Sequence, residues 1–260
     1  MGEKSSNQST GYQTLNISTK DDLCFIQLYR PEAKNTLNDL LIEEFRQALL
    51  SCHSTAKILI IEGLSDIFCF GADLQALANT PSEIQSGPEP LYDLWYQLTT
   101  GPFVTVAHVR GKANAGGVGF VAACDLVLAD SKAEFSLPEL LFGLMPACVL
   151  PFLIRRIGYQ KAHAMTLMTK PISSEEAYRW GLVDAYAEDS QALLNQHLLR
   201  LRRLSKTAIG RYKNYLNKLD VSLAAAKPNA LAANQVVFSD PNNLSKINRY
   251  VNTGQFPWEA

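Results

Sequence analysis

Four short apolar runs, dominated by β-branched residues and bounded by turn formers, constrain what this chain can fold into. They are residues 23–29 (LCFIQLY), 58–61 (ILII), 104–109 (VTVAHV) and 126–128 (LVL). Runs of this length and composition read as buried strands. Between the first two, Leu37, Leu40, Leu41, Phe45, Ala48 and Leu49 fall on one face of a helix over residues 37–52. Thr36 followed by Asp39 resembles a capping box at its start. Strands alternating with helices specify an α/β fold. With 260 residues, 47% of them hydrophobic, the chain can bury one large core, which excludes a disordered or fibrous molecule.

The pattern changes near residue 190. Residues 191–204 and 206–219 read as consecutive amphipathic helices, Pro228 as the opening of another, and Pro241 as a further break. The organisation expected is a polar, disordered tail over 1–11, an α/β core over 12–190, and a helical region over 191–260.

Charge is nearly balanced overall, with 24 Lys and Arg against 25 Asp and Glu, so the composition carries no signature of nucleic-acid binding. Its distribution is uneven. Residues 1–154 hold 9 basic and 17 acidic side chains (net −8), and residues 155–218 hold 12 and 5 (net +7). The basic block reads either as solvated helix faces or as a docking surface for an acidic partner, with Arg155, Arg156, Lys161, Arg202 and Arg203 as the candidate contacts. No stretch approaches the roughly 18–20 apolar residues of a membrane span, and the N-terminus is polar rather than signal-like, so a cytoplasmic protein is expected. Gly2 and Ser6 match a loose myristoylation pattern that nothing else supports. Cys24, Cys52, Cys69, Cys124 and Cys148 are odd in number and set in apolar surroundings, which suits reduced core thiols rather than disulfides or a metal site.

Two segments carry the chemistry. Residues 68–74 (FCFGADL) follow a strand and a turn at 63–66, and residues 108–125 (HVRGKANAGGVGFVAACD) run from a strand through Gly116-Gly117 into an apolar helix. Glycines let a backbone approach a ligand closely, and the first-turn amides of a helix have no internal partner and can hold an anion. These segments, with FSLPELLFGLMP at 135–146 and GLVD at 181–184, together resemble the crotonase (enoyl-CoA hydratase/isomerase) superfamily over about residues 12–258. The resemblance implies a crotonase-like spiral of ββα units with a C-terminal helical oligomerisation region, assembled as a trimer or a dimer of trimers. It also implies a substrate carried on the phosphopantetheine of an acyl carrier protein (ACP) or on CoA, with no metal or redox cofactor.

By the same resemblance, the backbone amides of Ala72 and Gly116 form an oxyanion hole for a thioester enolate, and Phe70, Leu74, Asn114, Gly117 and Gly119 line the substrate. Hydratases of the superfamily place two glutamates beside the substrate. Glu139 fills the second position as general acid and base, whereas the first is Gly119, which is expected to leave room for a branched C3 centre. Asn114 could instead stabilise its turn. Arg110 and Lys112 could neutralise a substrate carboxylate or face solvent. His163 reads as structural, and Tyr92, Trp95 and Tyr96, at helical spacing, as core or cavity wall.

A closer resemblance lies in residues 89–117, in the run from 135 to 173, and in the terminal GQFPWE: these resemble the dehydratases of polyketide β-branching cassettes. Such enzymes convert 3-hydroxy-3-methylglutaryl-ACP to 3-methylglutaconyl-ACP. The decarboxylase of the same cassettes is expected to lack the carboxylate of the Pro-Glu pair, so Glu139 points to the dehydratase. The alternatives are a hydratase or isomerase acting on a CoA thioester, the decarboxylase of the same pathway, and a non-catalytic binding member, against which the intact Ala72, Gly116 and Glu139 argue.

Overall fold

The computed structural model describes residues 11–79 and 87–259. The expected tail and the Gly2–Ser6 pattern fall outside these residues except for Gly11.

The chain winds as a spiral in which successive strands alternate between two sheets. The larger sheet has the order β1(Leu15–Lys20), β2(Leu23–Leu28), β3(Ile58–Glu62), β5(Val104–Val109), β7(Leu126–Asp130), β10(Ala185–Ala187); the smaller has the order β4(Ile67–Cys69), β6(Lys112–Asn114), β8(Glu134–Ser136), β9(Ile172–Ser173). From β3 to β8, each turn gives one strand to each sheet, and the first two turns then add helices: α2(Leu74–Asn79) and α3(Glu89–Thr100), then α4(Gly116–Ala123); beyond β8 come α5(Leu150–Ile157), α6(Tyr159–Met168), α7(Ser174–Trp180), α8(Ser190–Leu201), α9(Lys206–Leu219), α10(Ser222–Phe238) and α11(Pro241–Thr253). Pairing is parallel throughout except β1 with β2 and β8 with β9. The fold is the α/β spiral of ββα units that the sequence leads one to expect.

The strand pattern explains why the large sheet is covered on both faces. Ile58, Ile60, Val106 and Leu128 pack with Leu194 and Leu198 of α8(Ser190–Leu201), while Leu59, Ile61, Ala107 and Val127 join the main core. A period of two sends alternate side chains to opposite faces, so a continuous apolar run needs a layer on each. α8 therefore completes the core from within the helical region. α4 is apolar all round, and every residue after Gly116 is buried, which makes it the central helix.

Several local expectations are corrected. The first helix, α1(Asp39–Cys52), is capped by Asn38, whose side chain accepts from the Leu41 amide, and not by Thr36. Leu37 lies outside the helix and Leu40 is exposed; the buried face is Leu41, Ile42, Phe45, Ala48, Leu49 and Cys52. Pro228 does not open a helix but sits inside α10(Ser222–Phe238), whereas Pro241 starts α11(Pro241–Thr253) as expected. All five cysteines are free and buried. Among the described residues no helix is long and apolar enough to cross a membrane.

Candidate active site

Two loops from neighbouring turns of the spiral bring two backbone amides together. In the first, Leu37 forms a parallel bridge with Ala72: the Leu37 N–H donates to Gly71 O at 2.8 Å, and the Asp73 N–H donates to Leu37 O at 3.0 Å. That pattern occupies the groups on either side of Ala72 and turns the Ala72 N–H away from Leu37. Asp73 is held in turn by Arg30 at 3.1 Å and by the Thr36 hydroxyl at 3.2 Å, and its other oxygen accepts from the Ala76 amide at the start of α2. Thr36 thus braces the loop instead of capping a helix.

In the second loop, Ala115 has φ 49° and ψ −118°, a conformation that costs an L-residue of order 1–3 kcal/mol and persists only when its surroundings impose it. The Ala115 N–H donates to Ser136 O at 2.9 Å, and the turn presents Gly116 as the first residue of α4. Gly71 has φ +89°, and a methyl placed on it would lie 2.6 Å from Ala115 Cβ and 3.5 Å from Gly116 N. The two loops therefore touch through Gly71, which admits no side chain. Among the described residues, no hydrogen bond engages the amide of Ala72 or of Gly116. Two free amides on adjoining rigid loops are suited to hold an anionic oxygen.

Glu139 enters from the smaller sheet. Three residues after Ser136, it opens a 3-10 turn, Glu139–Phe142, closed by Gly143 at φ 78°. Its Oε2 is buried and has no hydrogen-bond partner among the described residues. Burial pushes the carboxyl up to about 8, offset only in part by its own backbone amide. A carboxyl raised by desolvation, with no ion-pair partner, can exchange a proton near neutral pH.

Gly119 does not leave the space expected of it. A methyl placed there would lie 2.4 Å from Cζ2, 2.5 Å from Cη2 and 2.8 Å from Cε2 of Trp95. The indole fills the slot, edge-on to Phe120 and Phe152 at 5.9 and 5.7 Å between ring centres. Trp95 thus packs against the bare face of Gly119 as part of the buried core, one of the two roles that its helical spacing with Tyr92 suggests. Gly117 packs α4 onto β4, where a methyl would lie 2.5 Å from Cys69 O. Asn114 serves its turn, since its Oδ1 accepts from the Ser136 hydroxyl at 2.6 Å. Phe70 is half-buried beneath the Lys34 ammonium, 5.5 Å from its ring centre. Leu74 joins the apolar cluster of Phe142, Leu144, Val237 and Ile247, which ties α2 to α11.

The basic block is largely engaged elsewhere. Arg156 donates to Cys124 O and Leu182 O at 2.8 Å and pairs with Asp184 at 2.6 Å, with only 10% of its side chain exposed, so it is a clip within the fold and not a docking contact. Arg155 pairs with Asp220 at 3.0 Å, Lys161 lies 4.9 Å over the Trp180 ring, and Arg202 and Arg203 are exposed. Cys124 follows the C-terminal end of α4, and Lys57 at the start of β3 donates to Arg202 O. Arg156 thus sits at the opposite end of α4 from Gly116, and that helix is about 12 Å long for its eight residues. Lys112 is exposed beside Glu134 and Arg110 faces Glu62, both in salt bridges. His163 is exposed and stacks on Tyr159.

A family model described as enoyl-CoA hydratase/isomerase matches residues 18–260. The chain belongs to the enoyl-CoA hydratase/isomerase family. It is a hydro-lyase. It is 58% identical over 252 residues to the bacillaene synthase dehydratase PksH of Bacillus subtilis (strain 168), covering 95% of this chain and 97% of that one. It is 29% identical over 224 residues to the mitochondrial enoyl-CoA hydratase of Pongo abelii, covering 85% and 73%. The crystal structure of a polyketide biosynthesis enoyl-CoA hydratase (pksH) from Bacillus subtilis superposes with a TM-score of 0.92 at 56% identity, covering 95% of this chain and all of that one.

Proposed function

We propose that this enzyme removes water from 3-hydroxy-3-methylglutaryl-ACP to give 3-methylglutaconyl-ACP in polyketide β-branching. The observation that carries the reading is the buried Oε2 of Glu139, without a hydrogen-bond partner among the described residues and three residues after Ser136, whose carbonyl holds the loop that presents the free Gly116 amide. The likeness to a dehydratase of bacillaene synthase supports it.

In this mechanism the thioester oxygen accepts from the Ala72 and Gly116 amides. Glu139, as carboxylate, takes the C2 proton, and charge moves onto that oxygen as the enolate forms. Preorganised donors of this kind are worth about 3–4 kcal/mol each by mutagenesis. The enolate then collapses, the C3–O bond breaks, and the proton on Glu139 leaves with the hydroxyl as water. One carboxyl acts first as base and then as acid on the same face, which makes the elimination syn. No step calls for a metal or redox cofactor. The carrier-protein partner, and assembly as a trimer or a dimer of trimers, belong to the same proposal.

Mass spectrometry of 3-hydroxy-3-methylglutaryl-ACP incubated with the enzyme tests it. Loss of one water from the carrier-bound acyl group, faster than from the CoA thioester, is the expected result. An unchanged acyl group, or loss of carbon dioxide in place of water, overturns the proposal.

A further inference from the structure

Trp95 stands where Gly119 leaves a gap, and filling space does not require an indole. The side chain is 1% exposed, and its Nε1 has no hydrogen-bond partner among the described residues. Burying an N–H without an acceptor costs about as much as a lost hydrogen bond, a cost that phenylalanine in the same place would avoid. The nitrogen is one bond from Cε2, the atom 2.8 Å from a methyl placed on Gly119, and two bonds from Cζ2, which lies 3.8 Å from a methyl placed on Gly116. The unused donor therefore sits beside the helix turn whose amide holds the thioester oxygen, on the side that a second carboxylate would occupy.

We propose that the Trp95 indole N–H donates a hydrogen bond to the C3 hydroxyl oxygen of the substrate and holds it for departure. This deepens the dehydratase reading and rests on it. The indole gives up no proton at neutral pH, so proton transfer stays with Glu139 while Trp95 fixes the direction of the C–O bond. A positioned donor that cannot exchange protons also explains how a site with one carboxylate treats a hydroxyl as a leaving group. Trp95 thereby becomes a catalytic residue for elimination and a bystander for proton removal at C2.

The test separates those two steps. Trp95 is replaced by 3-benzothienylalanine, which keeps the ring shape and exchanges N–H for sulfur, in a chain whose Trp180 and Trp258 are changed to Phe. One assay follows dehydration of the carrier-bound 3-hydroxy-3-methylglutaryl thioester, and the other follows deuterium uptake at C2 of a pantetheine acyl thioester lacking the C3 hydroxyl. The expected result is a fall of about tenfold in kcat for dehydration, the scale of one hydrogen bond, with deuterium uptake unchanged and Tm no lower than that of the parent. Equal dehydration with and without the N–H overturns the inference. So does an equal fall in both assays, which marks a packing role. A Trp95 parent that exchanges C2 deuterium but does not dehydrate the branched substrate overturns the dehydratase reading itself, and the inference with it.

Discussion

At the scale of single residues, Glu139 and Gly119 show what a sequence can and cannot display. The Pro-Glu pair marks Glu139 directly, but the rise of its carboxyl to about 8 depends on burial that only the fold supplies. Because the folded-state value lies above the ordinary 4.5, the group favours the fold fully below 4.5, and that contribution fades as pH rises from 4.5 to about 8. Glu139→Gln does not titrate, so its unfolding free energy is expected to gain on the wild type's by on the order of a few kcal/mol across this window, seen in thermal denaturation as a Tm difference that shifts in the variant's favour as pH rises. A constant Tm difference would mean that the carboxyl is not raised. Gly119 carried the opposite lesson. Its vacancy was legible, but the indole that fills it comes from another helix, so no local pattern records it. Gly119→Glu is expected to lose at least 1–3 kcal/mol of stability through overpacking against Trp95, read as a lower urea midpoint, and to gain no hydratase activity.

Among elements, the long buried strands and the amphipathic helices were legible because burial on both faces leaves continuous apolar runs. β4, β6 and β8 are three residues each, too short for any period to show, yet they form the sheet that delivers Gly71, Ala115 and Glu139. The brace of Arg30, Thr36 and Asp73 was missed for a related reason: its members are up to 43 residues apart, and only the Leu37–Ala72 bridge brings them together. Asn38→Ala is expected to cost about 1 kcal/mol through loss of the α1 cap, measurable as a fall in Tm without change in KM. Arg156→Ala should also act on stability. Removing it strips donors from Cys124 O and Leu182 O and leaves Asp184 without its guanidinium, so Tm should fall while KM for the carrier-bound substrate keeps its value and its salt dependence. A salt-dependent rise in KM with Tm unchanged would restore Arg156 to the docking surface.

Over the whole molecule, the spiral stacks two turns so that loops carrying the free amides of Ala72 and Gly116 meet at Gly71, and the smaller sheet carries Glu139 three residues after Ser136, whose carbonyl holds the second loop. In the proposed mechanism Glu139 alone moves the protons of dehydration. Single-turnover dehydration of 3-hydroxy-3-methylglutaryl-ACP, followed against pH for the wild type and Glu139→Gln, tests this most directly. The wild-type rate is expected to rise with pH and level off above about 8, as the carboxylate form becomes available, and the variant to be slower by about 10²–10⁴ with no such rise. A variant that dehydrates at close to the wild-type rate, or that keeps the same pH profile, would contradict the claim.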